Sequence, residues 1–186
     1  MKDKLVSFFF NSISLIVWAV TIVVVFTALF MLCTGMEKAP VFTLESADLS
    51  PADATALAEN GREGEDWYAL TLTMRVAASD RSPFTYTADG FSLASETLPE
   101  DTFITVDPAV QEFSRAFPAA YVLTCYARAP EGAEALALKM QSLSFRMDGC
   151  TGRFTFLKFP LRKVSPGFSL ADFGAQITVT RQAQTP

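Results

Sequence analysis

Two cysteines, Cys125 and Cys150, bring the most chemistry within reach of this 186-residue chain. A disulfide between them would close a loop of about 26 residues and contribute roughly 3 kcal/mol in the chain-entropy model. The competing reading is a pair of small buried hydrophobes. In "YVLTCYA" Cys125 alternates with Tyr121 and Leu123, as a core-facing strand residue does. Both readings stand on the sequence.

Little else supports reactivity. The chain has no histidine, which removes the commonest general base, the usual Ser–His pairing and every His-based zinc site. Two cysteines cannot complete a structural zinc site. "DGCTGR" at 148–153 carries one acid, too little for a patterned calcium loop. The acidic cluster Glu59, Glu63, Glu65 and Asp66 has Arg62 in its midst and reads as a solvated loop rather than a Ca²⁺ site. No glycine-rich phosphate loop occurs among the nine glycines. A carboxylate pair of the glycosidase kind comes together only in a fold, and spacing nominates none. The expectation is no catalytic residue, no metal and no cofactor. A cell-surface hydrolase is the weakest reading.

The segment "RFTFLKFPLRK" points to recognition instead. Phe154 and Phe156 lie on one side of an extended strand, Thr155, Leu157 and Phe159 on the other, and Pro160 should stop further ladder pairing on its side. Arg153, Lys158, Arg162 and Lys163 surround the phenylalanines with positive charge. The plain alternative is a core strand ending in a polar loop. The functional alternative is a surface for an acidic protein or anionic envelope partner, with phenylalanine supplying contact area.

Where such a surface would be displayed depends on the N-terminus. No charged residue lies between Lys4 and Glu37, and Ile13 to Cys33 is an apolar run of 21 residues. As a helix it would be about 32 Å long, close to the ~30 Å hydrocarbon core of a bilayer. A cleavable signal has a shorter core followed by a small-x-small site. Here the run ends in Leu29-Phe30-Met31-Leu32, and Leu32 is too bulky for a lipoprotein signal ending at Cys33. The expectation is a tail at 1–12, an uncleaved transmembrane signal-anchor helix at 13–35 and a linker at 36–40. Lys2 and Lys4 precede the span, while Glu37 and Lys38 cancel after it. The positive-inside bias then places the N-terminus in the cytoplasm and the remainder outside, as a single-pass protein of the cell membrane.

Residues 41–186 suffice for one domain with one core. Its charge is uneven: Glu37 to Glu134 holds 17 acidic and 6 basic residues, and Ala135 onward holds 2 acidic and 7 basic. The chain is acidic overall and its basic residues are scattered, which argues against nucleic-acid binding. "WYALTLTMRVA" alternates apolar and polar residues like a half-buried strand, and "SPFTY" reads as its hairpin return. "GFSLA", "TFITV", "AYVLTCYA", "ALALKMQSLSFRM", "RFTFLKF" and "AQITVT" continue the series, the fourth with a bulge or bend between Met140 and Leu143. Ser50-Pro51 should start a short helix over 51–59, and Asp107-Pro108 a second one carrying Val110, Phe113 and Phe117. The pattern predicts a mainly β fold, a single antiparallel immunoglobulin-like β-sandwich with one or two short helices, preceded by the transmembrane α-helix.

The strand with Phe42 and Leu44, then "WYALTLTMRV", "SDRSPFTY", "DGFSLA" and "YVLTCYARAPEGAEALAL", resembles the telokin-like, immunoglobulin-type domain of bacterial lipoproteins and membrane-anchored proteins. The likeness covers roughly residues 41 to 147. It departs at Ala77-Ala78-Ser79, where that family carries asparagines, and the tail from Cys150 is unmatched. The resemblance implies a domain of largely unknown function with no catalytic residues. The function expected is a membrane-anchored extracytoplasmic binding or scaffold module. The alternative is an accessory subunit held in a membrane complex through its helix.

Overall fold

The computed structural model describes residues 2–35, 39–64, 66–80, 82, 84–95, 101–154, 160–174 and 176–180. The chain forms two compact units, Met1–Lys38 and Ala39–Pro186.

The first unit is one helix, α1, Lys2–Gly35. Its 34 residues make it about 51 Å long, so the stretch expected as a tail continues the helix. The described side chains at 13–27, 29 and 30 are all exposed. Among the described residues no helix is long and apolar enough to cross a membrane.

The second unit is mainly β, with its strands in three sheets rather than two. β1 (Val41–Pro51), β2 (Trp67–Ala77), β7 (Ala119–Arg128) and β5 (Phe103–Asp107) form an antiparallel run, and β12 (Thr178–Val179) joins β1 in parallel. A second sheet orders β10 (Pro160–Lys163), β9 (Thr151–Phe154), β3 (Phe84–Ala88) and β6 (Gln111–Phe113). A third orders β11 (Gly167–Ser169), β8 (Ser144–Asp148) and β4 (Gly90–Leu93). The alternation in β2 does what the pattern demands: Leu70, Leu72, Met74 and Val76 are buried, while Thr71, Thr73 and Arg75 are not. These residues share one core with Tyr86, Phe113, Tyr121, Leu123, Phe145 and Met147 from all three sheets.

Four expectations are corrected. "SPFTY" is not the hairpin return of β2: β3 leaves that sheet and pairs with β6 and β9, because its buried aromatics Phe84 and Tyr86 complete the opposite layer of the core. "ALALKMQSLSFRM" is not one bent strand but a helix, α3 (Ala133–Met140), followed by β8. Ala, Leu, Glu, Lys and Met are strong helix formers, and Leu136, Ala137 and Met140 line one buried helical face. The first short helix, α2 (Ala54–Glu59), begins later than Ser50-Pro51 suggested. Ser50 and Pro51 extend the β1 ladder against Ala69 and Tyr68, and Asp53 supplies the cap, accepting from the Thr55 amide at 3.1 Å. The helix expected at Asp107-Pro108 is absent among the described residues. β6 forms there because Phe113 stacks on Tyr86 with ring centroids 5.4 Å apart.

Candidate functional site

β3 is the middle of the layer that carries the site. On one side Thr85 lies opposite Arg153 of β9, and on the other Thr87 lies opposite Glu112 of β6. Arg153 therefore reaches diagonally over β3, and its Nη2 donates to Glu112 Oε2 at 2.5 Å. Beside this pair opens a groove of about 550 Å³, with Phe84, Phe113, Arg115 and Phe117 among its lining. The floor is aromatic, with Phe84 and Phe113 buried, and behind it the hydroxyls of Tyr86 and Ser82 share a hydrogen bond at 3.3 Å. Gly152 lies against the Tyr86 ring, where a Cβ would sit 3.1 Å from Tyr86 Cε1. The rim is mixed in charge. Arg115 Nε is 3.9 Å from Asp80 Oδ1, and Phe117 stands exposed at the groove's end.

The expected recognition residues are placed in part. Arg153 is on the groove. Arg162 and Lys163 lie on β10 opposite Gly152 and Thr151, one strand beyond Arg153, and Lys163 is exposed. Pro160 sits opposite Arg153 at the start of β10, which has no partner on its other side among the described residues, and the register shifts between Pro160 and Arg162. The backbone of Phe154 pairs with Phe84. Phe156 and Lys158 lie outside the described residues. Glu112, Arg115 and Phe117 were missed because 107–117 read as a helix, although the run Ser114-Arg115-Ala116-Phe117-Pro118 carries a turn's composition.

No family model, curated protein or solved structure matches the chain.

Cys125 and Cys150 are buried, free thiols. Cys125 faces the core from β7, between Leu70 and Ile104, and burial pushes its thiol up to about 12. A thiol held neutral in this way is a poor nucleophile and metal ligand. Burial likewise pushes the Tyr121 phenol up to about 12, with Cys150 adding to the effect. The Tyr121 hydroxyl has no hydrogen-bond partner among the described residues. Among those residues no three metal-ligating side chains converge. What the groove can do chemically is hold an apolar side chain on its aromatic floor while charges of both signs orient its neighbours.

Proposed function

We propose that this chain is a membrane-anchored, extracytoplasmic binding or scaffold module of the cell membrane that acts by surface recognition rather than catalysis. The observation that carries this reading is the groove between Arg153 and Phe117: an aromatic floor, a charged rim and a further basic strand, β10, beside it. That composition suits a protein segment or an anionic envelope partner that offers an apolar side chain flanked by acids.

The anchor, a single span over 13–35 with a cytoplasmic N-terminus, is supported by the apolar, exposed side chains of α1. Thr21 and Thr27 donate to the carbonyls of Val17 and Val23 at 2.8 and 2.7 Å. Their polar atoms are thus satisfied within the helix, as hydrocarbon requires. The same bonds leave them little to offer a neighbouring helix, which disfavours the accessory-subunit alternative. We read the domain as immunoglobulin-like and of the telokin-like kind, on the motifs quoted above and on the antiparallel run β1-β2-β7-β5 packed over the shorter strands.

The test is recovery of a partner from native membranes by the full chain, before and after Arg153→Glu with Lys163→Glu. Loss of the partner from a variant that still unfolds cooperatively is the expected result. Unchanged recovery would remove this surface.

A further inference from the structure

Among the described residues of the domain, Phe117 is the most exposed large apolar side chain, at 78 %. It belongs to the turn between β6 and β7, where Arg115, Ala116 and Pro118 are exposed as well. The turn is built rather than frayed: the Ser114 amide donates to the Phe117 carbonyl at 2.9 Å, and the Phe117 amide donates to Ser114 Oγ at 3.2 Å. Strand register fixes where this tip points along the sheet. Ala119, which begins β7, lies opposite Val76, and Ala77 lies opposite Val41, which begins β1. The tip and the start of β1 are therefore at one end of the five-stranded sheet, roughly 10 Å apart across two strand spacings. Val41 is itself half exposed. α2, which follows the last residue of β1, belongs to the opposite end.

Val41 follows Gly35, the last residue of α1, by six positions, a reach of at most about 20 Å. We propose that this end of the domain docks on the lipid interface of the membrane holding α1. Phe117, flanked by Ala116 and Pro118, enters the headgroup region while Arg115 meets the phosphates. The inference rests on the anchor reading of 13–35. An aromatic ring beside small apolar residues and one exposed cation, Arg115, whose nearest acid Asp80 lies 3.9 Å away and is itself exposed, is the chemistry of an interfacial contact. A tip of three residues is far below the ~800 Å² per partner of a stable protein interface. A domain tethered beside a bilayer has a high effective concentration, so a small contact suffices.

The full chain, reconstituted in phosphatidylcholine vesicles with and without phosphatidylglycerol, provides the test. A polarity-sensitive fluorophore is placed on Ala116→Cys or, at the opposite end, on Ala58→Cys, with the parent chain setting the background from its own cysteines. Quenching is read from headgroup-nitroxide lipids. The expected result is several-fold stronger quenching at position 116 than at 58, abolished by Phe117→Asp. If the chain fails to float with the vesicles after an alkaline wash, the anchor reading falls and the docking with it. If it floats and positions 116 and 58 are equally unquenched, docking is overturned and the anchor stands. A label at 116 shielded from aqueous iodide yet untouched by lipid nitroxide would mean that a second copy covers the tip, which also overturns the proposal.

Discussion

Arg153 of β9 and Glu112 of β6 meet over the intervening strand β3, Nη2 to Oε2 at 2.5 Å, although 41 positions separate them in the chain. The pair ties the two flanks of the site together at its solvent side, with side-chain exposures of 36 and 50 %.

An ion pair this exposed contributes about 0.2–1 kcal/mol. A double-mutant cycle on Arg153→Gln and Glu112→Gln, followed by urea unfolding, should return a coupling within that range. The swapped variant Arg153→Glu with Glu112→Arg should unfold near the parent midpoint, whereas Arg153→Glu alone places two acids together and lowers it. A coupling above about 2 kcal/mol would mean that the pair behaves as a desolvated bridge and that the groove is closed to solvent.

The α3 assignment has a direct mutational signature. In a strand Leu136, Leu138 and Met140 would share one face, but in the helix Leu136 and Met140 are buried and Leu138 is 69 % exposed. Leu136→Ala and Met140→Ala should each cost about 2–5 kcal/mol. Leu138→Lys should stay within about 0.5 kcal/mol of the parent. Comparable losses at 136 and 138 in chemical denaturation would restore the strand.

Alkaline pH should destabilise the domain. Cys125 and Tyr121 both titrate higher when folded than unfolded, at about 12. Above the unfolded-state values the native state therefore holds more protons, and the free energy of unfolding falls as pH rises. The stability from these groups is complete below about pH 8.5 and is lost progressively toward pH 12. Melting temperatures from pH 7 to 11 should show the decline, and Cys125→Ala with Tyr121→Phe should flatten it. A parent curve no steeper than the variant's would refute the assignment.

Tyr121→Phe has a second consequence at neutral pH. It removes a buried hydroxyl without a hydrogen-bond partner among the described residues and keeps the ring that meets Phe91 edge-on at 5.1 Å. Unfolding free energy should be unchanged or raised by up to about 1 kcal/mol. A clear loss would show that the hydroxyl is satisfied in solution.

By itself the sequence determined the class of this protein and most of its strands. Period-two alternation over 67–77 and 119–128 records burial on one face of an extended chain, and burial is a local consequence of side-chain direction. The apolar run in α1 was equally plain. The same reasoning failed over 135–140, because Ala-Leu-Ala-Leu satisfies a strand's alternation as well as a helix's propensity, and only packing of Leu136, Ala137 and Met140 into the core chose between them. It failed again at 107–117, where the cap signal of Asp107-Pro108 was outweighed by the β3 ladder and the Tyr86–Phe113 stack. The basic residues of the site were legible as a cluster around Arg153. Their partner Glu112, the groove and the Phe117 tip were not, because these come from strand order. Which strand lies beside β3 is decided by how three sheets share one core, and local periodicity carries no record of that choice.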